Sequence, residues 1–154
     1  MRLLSLLLIS AALFGGLSCR SETKPASPLE TFQTYTKAMK QKDTTTMKLL
    51  LSSESIKMHE QEAKARGLTL DDVVKSQTLV GVDQKTVEFR NEKIDGDKAT
   101  LEVKNQGAWV TVPFVREDSV WKIDEKGYSD NMMQDMEQSD RKLDDLINRG
   151  RRQP

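Results

Sequence analysis

The sequence predicts an α+β domain in which helices come first, an antiparallel sheet follows, and a further helix closes the chain. Between residues 28 and 51, apolar side chains recur every three or four positions, the period of an amphipathic helix. From Leu79 onward the period becomes two, as in half-buried strands. Asp95-Gly96 separates two such runs and favours the positive φ angles of a hairpin turn. The sheet should therefore be antiparallel, with its apolar face covered by helices.

The first helix is expected to begin at Ser27 or Pro28 and to run to about Lys42. Ser27 can cap it, Pro28 suits the first helical position, and Glu30 places a carboxylate near the positive end of the helix dipole. Its apolar face is expected to carry Leu29, Phe32, Tyr35, Thr36 and Met39.

Three shorter helical segments are predicted next. Asp43 can cap a helix through Leu51. The segment from residue 55 to residue 66 is rich in Glu, Lys, Gln and Ala, and Gly67 should end it. Thr69 opens one more turn or short helix toward Ser76.

Four strands are predicted, over residues 86–94, 98–104, 108–116 and 120–124. In the last strand Trp121 is in phase with Ile123, so both should point into the core. Trp109 is out of phase with Val110 and should point to the opposite face of the sheet, under the last helix or exposed as a contact.

An amphipathic helix is predicted over residues 129–149. Its stripe carries Met132, Met133, Met136, Leu143, Leu146 and Ile147. Ser139 and Asp140 interrupt the stripe, so the helix should be marginal on its own. We expect the outer face of the sheet near Trp109 to cover it, and a partner protein is the alternative.

Residues 1–18 have the features of a secretory signal peptide. Arg2 is followed by an apolar run from Leu3 to Phe14 that is short for a membrane span, and small residues close it. Cys19, the only cysteine, comes next, and the junction resembles the lipobox of bacterial lipoproteins, although Gly16 stands where leucine is usual. The resemblance implies acylation of Cys19, anchorage to a bacterial membrane at the periplasmic face or the cell surface, and a flexible tether over residues 19–27. The alternative is plain cleavage that leaves a free exported thiol.

Charge and cysteine content exclude some classes of protein. The chain has 24 basic and 24 acidic side chains, so it lacks the positive charge that nucleic-acid-binding proteins concentrate. A single cysteine permits no disulfide within the chain, and burial alone must hold the core.

The segments 27–32, 93–103 and 112–123 together resemble the small lipoproteins of the NTF2-like superfamily, especially those with a DUF4878-type pattern. The resemblance covers about residues 27–125. It implies an NTF2-like or cystatin-like cone, in which a strongly curved antiparallel sheet wraps helices and leaves a pocket at its open end. Since fold does not fix activity, it implies little about function.

Few residues suggest chemistry. His59, the only histidine, lies in a charged helix and is expected at the surface rather than as a general base. No metal, cofactor or catalytic constellation is expected. Four aromatic side chains are candidates for a pocket or contact, although core packing is an alternative for the first two: Phe32, Tyr35, Trp109 and Phe114.

Three functions remain open. The first is a non-catalytic, membrane-tethered domain of the bacterial envelope that binds a small apolar ligand or an envelope protein. The second is an enzyme of the isomerase or dehydratase kind. The third is an assembly module that docks through its C-terminal helix.

Overall fold

The computed structural model describes residues 26–81, 83–84 and 86–150, and it confirms the α+β class. The leader, Cys19 and most of the tether lie outside the described residues. The elements in chain order are α1 Pro28–Gln41, α2 Thr44–Leu50, α3 Ser53–Arg66, α4 Leu70–Ser76, β1 Phe89–Asp95, β2 Lys98–Asn105, β3 Ala108–Glu117, β4 Val120–Ile123 and α5 Glu125–Gly150.

The helix starts follow the predicted caps. At α1, Glu30 N donates to Ser27 Oγ at 3.2 Å while Ser27 N donates to Glu30 Oε2 at 2.8 Å. This reciprocal capping box satisfies two amides that the helix itself leaves free. Asp43 caps α2, and Gly67 ends α3 at a φ of 66°.

The four strands form one antiparallel sheet in sequence order, β1-β2-β3-β4. Leu101 pairs with Val112, and Phe114 pairs with Ile123. The predicted strands agree with the observed ones to within one residue except at the start of β1, which begins at Phe89 rather than at residue 86. A break in register follows Arg90, where Asn91 has a φ of 53°.

The core lies between α1 and the apolar face of the sheet. Phe32 is fully buried, and its ring lies 6.3 Å from that of Phe114 and 5.8 Å from that of Tyr35. Trp121 is also buried, as the strand phase predicts. Other members of this cluster are Ala38, Met39, Met47, Leu51, Val74, Val80, Ala99, Leu101, Val103, Val112 and Ile123.

Helix α5 begins at Glu125, four residues before the predicted start, and it keeps its apolar stripe in solvent. Among the described residues, no helix is both long enough and apolar enough to cross a bilayer. The stripe residues, each between 45 and 64% exposed, are Met132, Met133, Met136, Leu143, Leu146 and Ile147.

The expected docking of this stripe on the Trp109 face is therefore wrong. A groove of about 510 Å³ lies where the contact was expected, between Trp109 and Pro113 of the sheet and Tyr128 and Met132 of α5. The Arg90 guanidinium carbon lies 4.0 Å from the centre of the Trp109 ring. The Trp109 ring therefore has a cation as its neighbour, a contact that strand phase alone did not predict.

Candidate functional site

Three polar side chains from three helices meet at one end of the core. Tyr35 of α1 donates from its hydroxyl to Glu125 Oε1 at 3.0 Å. His59 Nε2 of α3 lies 2.6 Å from Glu125 Oε2 at the start of α5. The exposed fractions are 0% for Tyr35, 1% for His59 and 6% for Glu125. A hydrogen-bonded cluster of this kind, almost free of solvent, is costly to leave incomplete.

The surface position expected for His59 is wrong. Helix α3 buries Ser55, His59 and Ala63, which are four residues apart and share one face. Two of these side chains are polar and the third is small, so the buried face gives almost no hydrophobic periodicity. Because the surrounding residues are charged, the sequence of the whole helix has the composition of a fully exposed one.

Backbone and serine contacts hold the start of α5 against the start of α3. Ser52 N donates to Ile123 O at 2.8 Å, and Lys126 N donates to Ser55 Oγ at 3.1 Å. Asp124 Oδ1 accepts from Gly127 N at 3.0 Å in the manner of a helix cap. These bonds fix both neighbours of Glu125 and so direct its carboxylate into the cluster.

The hydrogen bonds define which atoms donate. Burial, together with the charge of Glu125, raises the pKa of the Tyr35 phenol, so Tyr35 remains a donor. A carboxylate oxygen accepts, and His59 therefore donates from Nε2 to Glu125. In the neutral ring Nδ1 is then an acceptor, and this buried atom has no hydrogen-bond partner among the described residues. An unpaired buried acceptor costs about 1–3 kcal/mol.

His59 and Glu125 line an open groove of about 370 Å³, called here the His59 groove. Glu62 lies at this groove, and the hydrogen bond from Arg66 holds the pKa of its carboxyl below the usual range. The other lining residues are mostly apolar or uncharged: Met58, Gln77, Thr78, Leu79, Tyr128, Ser129 and Met132. This volume suits a small organic molecule.

The four aromatic candidates from the sequence lie in different places. Phe32 and Phe114 pack in the core. Tyr35 packs there too, and its hydroxyl reaches Glu125. Trp109 lines the groove beside α5 and stacks on Arg90. No group of three or more His, Cys, Asp or Glu side chains in the described part of the chain could hold a metal ion.

Sequence reasoning missed the pairing of His59 with Glu125. The two residues are 66 positions apart, and neither lies in a recognisable motif. The spacing of Ser55, His59 and Ala63 was the available signal, because small and polar residues at four-residue intervals can form a buried face.

No protein-family model and no curated protein sequence matches the chain. The chain is similar to one solved structure, described as an NTF2-like transpeptidase from Campylobacter jejuni. The two share 18% sequence identity over 64% of this chain and 98% of that chain, with a TM-score of 0.41. A likeness this distant carries no conclusion about activity or substrate.

Proposed function

We propose that this protein is a non-catalytic, NTF2-like lipoprotein of the bacterial envelope that binds a small, largely apolar ligand in the His59 groove. The ligand carries one N–H or O–H group that donates to His59 Nδ1. The unpaired state of that buried atom is the observation that carries the proposal. A donor on the ligand would recover the cost of leaving the atom unsatisfied.

The groove supports this ligand class. Met58, Leu79 and Met132 supply adaptable apolar surface, and Tyr128 supplies an aromatic ring. Glu62 is already engaged, since Gln77 Nε2 donates to it at 2.6 Å. A neutral molecule with a single donor therefore fits the groove better than an anion would.

Indole and 1-methylindole form a matched pair of probes, because they differ chiefly in the N–H donor. We expect indole to bind more tightly, with NMR shifts centred on Tyr128, Ser129 and Leu79. His59→Lys should abolish the preference for indole, since the lysine ammonium keeps a donor for Glu125 but offers no acceptor to the indole N–H.

Gln61→Ala, an exposed change on the same helix, is the matched control and should leave the preference intact. Melting curves would establish that the His59→Lys and His59→Gln chains are folded. Equal binding of the two probes to the unaltered chain, or shifts located away from the groove, would refute the proposed ligand class.

The membrane anchor rests on Cys19 and the apolar leader before it. Two or more acyl chains, at about 0.8 kcal/mol per buried methylene, hold a protein on a membrane, whereas one chain is marginal. Cys19→Ala should leave the domain folded but release it from membranes, or leave it as uncleaved precursor. Fractionation of the mutant with membranes in fully processed form would contradict lipidation.

A second candidate function, catalysis of an isomerase or dehydratase kind, is favoured by the same pair. A carboxylate that fixes one ring nitrogen leaves the other available as a general base. Proton exchange of cyclohexanone in D₂O, followed by NMR, distinguishes the two functions. Exchange accelerated by the unaltered chain and lost in His59→Gln would replace the binding proposal with an enzymatic one.

A further inference from the structure

Beyond ligand binding, the most prominent feature is the exposed stripe of α5, of which Met132 alone also lines the His59 groove. Helix α5 spans 26 residues, and its six large apolar side chains each remain 45–64% exposed. Contiguous apolar surface of this kind usually marks an interaction site.

The stripe is symmetric along the sequence. Its first three members are Met132, Met133 and Met136, and its last three are Leu143, Leu146 and Ile147. Each member of the first set has a counterpart in the second at the same distance from the midpoint between Ser139 and Asp140. We infer that this face is an interface with a second copy of the chain, in which the two α5 helices pair antiparallel about that midpoint.

A two-fold interface uses the same patch on both subunits, so the patch must complement itself. Antiparallel pairing about this midpoint places Met136 opposite Leu143 of the second copy. Met132 then faces Ile147, and Met133 faces Leu146. Ser139, the break in the apolar stripe, lies at the crossing point, where a small side chain permits close approach of the helices.

Charge supports the same arrangement on one flank of the stripe. Asp135 and Lys142 are seven residues apart and lie on the same side of α5. Lys142 of the second copy would sit at the height of residue 137, about 3 Å along the axis from Asp135. The two-fold axis gives this pair twice. On the other flank Asp140 meets its own copy, and Glu137 meets Asp144 of the second copy by the same symmetry. These like-charged pairs weaken the association.

Cysteine cross-linking in the full chain tests the register. Ser139→Cys lies on the stripe at the proposed axis, whereas Arg141→Cys lies on the opposite side of the helix at nearly the same height. Both positions are exposed, so both thiols should be reactive. On mild oxidation we expect several-fold more disulfide-linked dimer from Ser139→Cys. Each variant also carries Cys19→Ala, so the introduced cysteine is the only thiol of the chain.

A third variant tests the direction of pairing. Leu146→Cys should link poorly, because its own copy would lie about 20 Å away along the antiparallel pair. In the Ser139→Cys chain, Met136→Glu should remove the cross-link without lowering the melting temperature, while Asp140→Asn should increase it. Cross-linking at residue 139 no greater than at residue 141 would overturn the inference. Efficient linkage at Leu146→Cys would overturn the antiparallel arrangement.

Discussion

Replacing Glu125 with alanine is expected to lower the free energy of unfolding by about 3–5 kcal/mol. The carboxylate accepts from the Tyr35 hydroxyl at 3.0 Å and lies 2.6 Å from His59 Nε2. All three side chains are buried, so water cannot replace the lost acceptor. Removing the carboxylate therefore leaves two donors unpaired in a dry site, and chemical denaturation would measure the loss.

Two further variants separate the contributions. Tyr35→Phe removes one donor and leaves Glu125 Oε1 without it, so we expect a smaller loss of about 1–3 kcal/mol. Combined with Glu125→Ala it should cost less than the sum of the two single changes, because both act on one network. Glu60→Ala, an exposed change on α3, is the control. A loss below about 1 kcal/mol for Glu125→Ala would mean that the cluster contributes little to stability.

Trp121→Ala is expected to cost about 3–5 kcal/mol, because it removes a large ring that the surrounding side chains cannot replace. Trp121 is 4% exposed on β4. The Arg116 guanidinium carbon lies 4.3 Å from the centre of the ring and would lose this contact as well. Thermal and denaturant unfolding would measure the effect.

Val120→Ala is the matched control, since the neighbouring side chain points to the other face and is 45% exposed. We expect its effect to stay within about 0.5 kcal/mol. Similar losses for the two variants would contradict the strand phase, because a shift of one residue exchanges the buried and exposed faces.

The sequence by itself determined most of the fold. Helix starts could be predicted because a cap acts on amides only three residues away, as Ser27 does with Glu30. Strand phase could be predicted because alternation is a property of neighbouring residues, and it placed Trp121 inside. Both features depend on residues that are close together in the chain, so the local sequence is enough to predict them.

The candidate site depended on tertiary structure. Glu125 is 90 positions from Tyr35 and 66 from His59, and only the packing of α1, α3 and α5 brings them together. The buried face of α3 is polar, so the hydrophobic pattern that identified the core could not identify this face. Each of these hydrogen bonds joins two polar groups that are far apart in the chain. Such a pair produces no repeating pattern in the sequence.

The surroundings of α5 were likewise decided by the tertiary structure. The sequence predicted the helix and its apolar stripe, and both are present. The expected partner, Trp109, instead lies against Arg90, which is 19 positions away along the chain and contacts it across β2 in the folded sheet. An amphipathic pattern indicates that one face of a helix is apolar. Which surface covers that face depends on the other groups that compete for contact in the folded structure.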